Sequence, residues 1–230
     1  MGWFLPCNDK SEHCEFYNWI PYKIQSIKCS RNNIFGIYSK MVVLKGIRNI
    51  IIANFICFTL QLILRGKLEM IFGLVPSMLF KGYVYQLFTY MFLHGDFFHI
   101  LMNMYALWLF GSELEFFWGT KEFYKYYFIT GIGAGIIYSI FNFHSDIPVI
   151  GASGAVFGIL LAFGMLFPER ELLIIFPIPL RIKAKIFVFV IGGLEIIYLL
   201  SGSRGIAHLA HLGGLFVGFI YLRWKRRRLY

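Results

Sequence analysis

Charge is what this sequence has least of. Asp, Glu, Lys and Arg make up 15% of its 230 residues, against 58% hydrophobic and 20% aromatic, and its mean hydropathy is +0.66. A soluble globular domain carries roughly a quarter of its residues as charges, so a water-soluble fold is excluded and a polytopic membrane protein is expected. Acidic residues are the scarcer kind, 12 against 22 Lys and Arg, for a net charge of +10. That excess does not mark a nucleic-acid binder, because the Lys and Arg cluster beside apolar segments, as they do on the cytoplasmic side of a membrane protein. Cysteine is sparse as well. Cys7, Cys14 and Cys29 lie with His13 in a polar stretch, at spacings that match no common zinc pattern, and free thiols are expected there. The opening residues Met1 to Cys7 lack a basic n-region followed by an apolar h-region, so the first membrane helix is expected to act as the insertion signal.

What the chain does have is a succession of apolar segments. The first runs from Leu44 to Leu64, the second from about His99 to Leu114, the third from about Tyr126 to Phe143. The fourth opens at Gly151-Ala152-Ser153-Gly154 and ends before Pro168; the fifth covers about Ile186 to Leu200 and the sixth Gly205 to Leu222. The fourth is short for a full span of about 20 residues, which implies local bilayer thinning or burial inside a bundle. This predicts an all-α membrane protein of six helices. Residues 1–45 would be a polar cytoplasmic segment, 46–223 the membrane domain and 224–230 a basic cytoplasmic tail. The connection from Leu68 to Phe98 is too aromatic for a water-exposed loop and is expected to lie partly in the membrane interface. With both termini inside, 18 of the 22 basic residues fall on the inner side and only Arg65, Lys67, Lys81 and Arg204 outside. The positive-inside rule therefore predicts cytoplasmic N- and C-termini.

That topology sends the second, fourth and sixth helices in from the outer face, each with polar residues in its first turns. These are His99 and Asn103, then Ser153, then His208 and His211. A polar side chain inside a span is costly and usually faces the bundle interior or a water-filled cavity, so three sets at a shared depth point to one site. Gly151, Ala155, Gly158 and Ala162 form a ridge almost without side chains, which by itself explains close helix packing. Gly131 and Gly135 make a second such face in the third span.

A serine becomes a useful nucleophile only beside a base, and neutral histidine suits that role near neutral pH. Oxyanion donors would come from His99, Asn103 and the backbone N–H of Ser153, at its helix N-terminus. No acidic residue stands in the three helix openings, so a Ser–His dyad is expected. Glu195, in the fifth span, is the only candidate third member and is better read as a partnered structural carboxylate, His208 as a hydrogen-bonded interface residue and His94 as a structural hydrogen-bonding residue of the loop. A metal-dependent hydrolase with His99, His208 and His211 as ligands is the rival, weakened by the missing His-Glu-x-x-His pattern and by the lack of a nearby carboxylate. A non-catalytic membrane-helix-binding protein and a small transporter are others; no paired halves with broken helices suggest the transporter.

Three stretches carry a resemblance: Gly151-Ala152-Ser153-Gly154, the run from His94 to Asn103, and Ala207-His208-Leu209-Ala210-His211-Leu212-Gly213-Gly214 continuing to Gly218. In order and spacing they resemble the signature of rhomboid intramembrane serine proteases, from about Leu44 to Arg223. The resemblance implies Ser153 as nucleophile, His211, directly before Leu-Gly-Gly, as general base, and His99, Asn103 and Gly151 as oxyanion support. It implies no metal or cofactor. The family's first loop often carries a Trp-Arg pair, which is absent here. The resemblance further implies an endopeptidase that cuts a peptide bond in or near the outer end of another protein's transmembrane helix. Its partners would be such substrates and the lipid bilayer, and its place a cytoplasmic membrane, that of a prokaryote being expected from the compact six-span chain.

Overall fold

The computed structural model describes residues 44–64, 66–174, 180–202 and 208–227. The Cys7, His13, Cys14 and Cys29 segment, Arg65, Pro177, Pro179, Arg204 and the Gly205 start of the sixth span lie outside the described residues. Helix α1 spans Lys45–Leu64, α5 Phe97–Trp118, α6 Thr120–Phe141, α7 Ser153–Leu166, α8 Ala184–Leu200 and α9 His208–Arg227. Between α1 and α5 the aromatic connection folds into short helices: α2 (Lys67–Phe72), α3 (Pro76–Leu79), α4 (Gln86–Thr89) and a 3₁₀ turn, Tyr90–Phe92. By length and composition α1 is the one described helix able to cross a membrane unaided; α7 is apolar but shorter.

Two expectations are corrected. The chain is mostly helical but not all-α, because Glu171–Ile174 (β1) pairs antiparallel with Leu180–Lys183 (β2), Glu171 facing Lys183. Both are four-residue apolar and polar runs too short for a helix, and ladder pairing satisfies their backbones instead. The Glu169 carboxylate clamps the base of this hairpin, taking Lys183 Nζ at 2.6 Å and also pairing with Lys185. The sixth helix does not stop at Arg223 either. It runs on to Arg227, held to α6 by Lys225 against Glu122 at 2.5 Å and by the Tyr221 hydroxyl donating to Glu122 at 2.6 Å.

Helix α7 is the centre, packed on α5, α6, α8 and α9. Its small ridge does what small ridges do: Ala155 and Ala162 are buried to 1% and 0% exposure, and a Cβ on Gly158 would stand 2.7 Å from Thr130 of α6. Several hydroxyls inside this apolar bundle are tied to backbone. Tyr126 donates to Gly158 O and Tyr90 to Gly131 O, each at 2.7 Å, while Thr130 donates to Tyr126 O at 2.8 Å. Each bond removes the cost of a hydroxyl buried without a partner. Only α8 is different, with Ala184 its sole buried residue and Phe189 and Leu200 about four-fifths exposed at 81% and 80%. In water such a surface would be unfavourable; against lipid it is not.

The start of α1 depends on Glu115, which sits near the C-terminal end of α5 and is 1% exposed. Its two carboxylate oxygens accept the Gly46 and Ile47 N–H groups at 2.8 Å each, and the Thr120 hydroxyl at 2.7 Å. This is a helix N-terminus capped from another helix, with the charge at the favourable end of the α1 dipole. Glu115→Ala leaves two buried backbone donors and the part-buried Thr120 hydroxyl without this acceptor and should cost about 2–3 kcal/mol. For a chain of this size that is a fall of about 5–10 °C in melting temperature, measured in detergent, with Glu115→Gln losing less.

Candidate active site

Ser153 is the first residue of α7, behind Gly151 and Ala152. No side chain caps this N-terminus, so the first backbone N–H groups, that of Ser153 among them, have no partner within the helix. The approach to the serine is fastened at two points. Leu74 and Val149 exchange backbone hydrogen bonds at 2.9 and 2.8 Å, and Gly151 N–H donates to Tyr90 O at 2.9 Å. Gly151 takes φ +131°, which side-chain-bearing residues rarely adopt, and a Cβ there would stand 3.0 Å from the His99 ring. Glycine is required twice over, by backbone angle and by space.

His211 lies in the first turn of α9 and brings Nε2 to 2.7 Å from Ser153 Oγ. The ring is laid flat on Phe157, 4.2 Å between centroids with the planes 9° apart, and Phe157 stands one turn after Ser153 on the same helical face. Such contact requires α7 and α9 to touch along their backbones. A Cβ on Gly214 would overlap the Gly154 carbonyl oxygen, and one on Gly218 would stand 2.5 Å from the Tyr126 hydroxyl. Phe157 was not legible as a site residue in the sequence; its only signal is an aromatic at i+4 from the serine.

His99 comes to the same place from α5, with Asn103 one turn further along that helix. Asp96 caps that helix, its carboxylate accepting His99 N–H at 2.8 Å, an Asp at the N-cap that the helix start could have announced. His99 Nδ1 accepts from Gly95 N–H at 3.3 Å, which puts the ring proton of the neutral form on Nε2, the edge turned to Gly151. Asn103 is 6% exposed and donates from Nδ2 to His99 O at 2.8 Å, on the face one turn below. His94 is held by its backbone, whose N–H donates to the Gln61 amide oxygen and whose carbonyl accepts from the Gln61 amide nitrogen, each at 3.0 Å. Burial, then the neighbouring His99, pushes its ring down to about 3, so it is neutral near pH 7.

The expectation that no carboxylate lies near these histidines is overturned. Glu195 reaches in from α8 and places Oε2 2.6 Å from His208 Nδ1 and Oε1 3.1 Å from His211 Nδ1. Glu195 stands in none of the three helix openings, and only the packing of α8 against α9 brings it to both rings. The same proximity changes the metal question. Ligand atoms of Glu195, His208 and His211 lie within 4.8 Å of one another, while the set expected for a metal, His99 with the two histidines of α9, does not form.

Comparisons with known proteins agree with the placement of these residues in one domain. The Rhomboid domain family model matches residues 81–228. Over 146 residues the chain is 34% identical to Rhomboid protein 1, mitochondrial, of Saccharomyces cerevisiae, covering 56% of this chain and 38% of that protein. It is 31% identical over 148 residues to the human Presenilin-associated rhomboid-like protein, mitochondrial, covering 59% and 38%. With RHOMBOID-like protein 12, mitochondrial, of Arabidopsis thaliana it shares 30% over 164 residues, covering 64% and 48%. The chain thus spans less than half the length of these relatives. All three names place the relatives in mitochondria, which conflicts mildly with the prokaryotic membrane expected from the compact six-span chain. Gly214→Ala should push α9 away from α7, lower stability by about 1–3 kcal/mol and abolish fluorophosphonate labelling of Ser153. Gly193→Ala, with nothing within 4 Å of its new Cβ, should keep both.

Proposed function

The chain belongs to the rhomboid family, and we propose that it is an intramembrane serine endopeptidase working through Ser153 and His211. The observation that carries the reading is the 2.7 Å approach of His211 Nε2 to Ser153 Oγ. In this reading α1 and α5 to α9 are the six membrane helices, with both termini on the cytoplasmic side and the site opening toward the outer face. The exposed apolar side chains of α8 and α1 support a lipid setting, Phe189 at 81% and Ile63 at 66% among them. The substrate is another protein's membrane helix. Its carbonyls are hydrogen-bonded until the helix unwinds, so cleavage favours helix-weak residues near the outer membrane surface.

The steps follow from the atoms. Ser153 Oγ attacks the scissile carbonyl carbon while His211 Nε2 takes its proton. The carbonyl oxygen becomes an oxyanion, met by the Ser153 N–H, His99 Nε2–H and the Asn103 amide, with Gly151 leaving room for them. His211 returns the proton to the departing amine, the C–N bond breaks and an acyl-enzyme remains. Water, deprotonated by the same histidine, then attacks the ester and frees Ser153.

The relevant experiment is cleavage of a helix-destabilised transmembrane reporter by purified protein in detergent, with EDTA in parallel. Wild type should cut with or without EDTA, and Ser153→Ala and His211→Ala should fall at least about 10⁴-fold. His99→Ala or Asn103→Ala should lose about 10²-fold, the usual cost of one oxyanion donor. Cleavage by Ser153→Ala would overturn the nucleophile. A second reading, a metal-dependent hydrolase, takes its support from the Glu195, His208 and His211 cluster, and only inhibition by EDTA would favour it. A wild type inert on several reporters would favour a rhomboid-like protein that binds membrane helices without cutting them.

A further inference from the structure

We propose that Glu195 is a positioning residue for His211, so that the nucleophilic pair works as the end of a Glu195–His211–Ser153 relay, with His208 holding the carboxylate in place. The inference rests on the proteolytic reading above and deepens it.

Glu195 is the one charged residue between Ile186 and Leu200. A carboxylate in such a helix is costly unless paired, and this one is 13% exposed by side chain. Packing does not require it there, since Ala184 is the only buried residue of α8. Its two oxygens serve two different rings. Oε2 is bound tightly, 2.6 Å from His208 Nδ1, and that ring lies nearly parallel to Tyr198, 21° between planes at 5.5 Å. One imidazole would be partner enough for a structural carboxylate. The second oxygen is nonetheless turned to His211 Nδ1, at 3.1 Å.

That nitrogen has no well-aligned hydrogen-bond partner among the described residues, so the 3.1 Å contact is oblique in the resting site. Hydrogen bonds at catalytic bases are often long or poorly aligned before substrate binds, and they tighten afterwards. The chemistry says what the contact does. A neutral imidazole carries one ring proton. If that proton sits on Nε2, His211 can only donate to Ser153 and cannot take its proton. An acceptor at Nδ1 selects the tautomer with a free Nε2 lone pair, and a negative charge beside Nδ1 favours the imidazolium formed as Oγ attacks. Glu195 stays ionised throughout and touches no reacting atom; the proton moves only between Ser153 Oγ, His211 Nε2 and the leaving amine. His208 and Phe157 complete the device, one by fixing the carboxylate and the other by fixing the ring plane.

The test uses the full chain in detergent, with kcat and KM on the transmembrane reporter, the fluorophosphonate labelling rate of Ser153, and the melting temperature. Removing the orienting acid of a serine protease costs up to about 10⁴ in kcat. Glu195→Gln, of the same shape but uncharged, should lower kcat about 30- to 10³-fold with KM within about twofold, and slow labelling in parallel. Glu195→Asp should recover part of the loss. If Glu195→Gln fails to fold, Glu195→Ala assayed with added formate takes its place: return of kcat supports the relay, and no return overturns it. Glu195→Gln within about threefold of wild type would overturn the inference and leave the dyad standing. A wild type that neither cuts nor labels at Ser153 would bring down the proteolytic reading, and the relay with it.

Discussion

The site depends on one close approach, that of α9 to α7 where Gly214 meets the carbonyl of Gly154. Helices separated by ordinary side chains lie 8–10 Å apart. At that spacing an imidazole on one and a hydroxyl on the other need not meet. With glycine on both sides the backbones close up, and a hydrogen bond of 2.7 Å forms between residues 58 apart in sequence. The small residues in α7 are therefore more than filler in the bundle, because they set the distance between Ser153 and His211. The Ser153 hydroxyl is free for this use because it starts its helix and points to α9 instead of bonding back to its own chain.

A second constraint follows from the apolar surroundings. A polar group carried into the bundle is costly without a partner, and several of the partners come from distant elements. Glu115 of α5 caps α1, Tyr90 of the loop holds α6, and Tyr126 of α6 holds α7. These bonds also orient the site. Tyr90 uses its backbone carbonyl to fix Gly151 and its hydroxyl to fix α6, so one residue in the aromatic connection couples the serine's approach to the bundle.

Much was legible in advance. Low charge, apolar segments and the asymmetry of Lys and Arg marked a membrane protein, and the helix positions follow the apolar runs to within a few residues because hydrophobic length is a local property. Ser153, His99, Asn103 and His211 stood out because hydroxyl, amide and imidazole groups are conspicuous against such a background. The hairpin between α7 and α8 and the extension of α9 to Arg227 were missed. In both, pairing with another segment decides the conformation, and the segment alone is ambiguous.

What the sequence by itself determined is the class of the protein and the identity of its unusual residues, since composition and periodicity respond to the solvent around each helix. What only the tertiary structure decided is which of them meet. His208 and His211 are three residues apart on one helix, and no periodicity separates them; the crossing of α7 and α9 assigns Ser153 to one, and the arrival of α8 gives Glu195 to both. That carboxylate was in plain view within an apolar run, but its meaning lay in a contact across the bundle. Contacts between helices depend on the shapes of both surfaces and on the connections that bring them together, and neither is written in the residues of one helix.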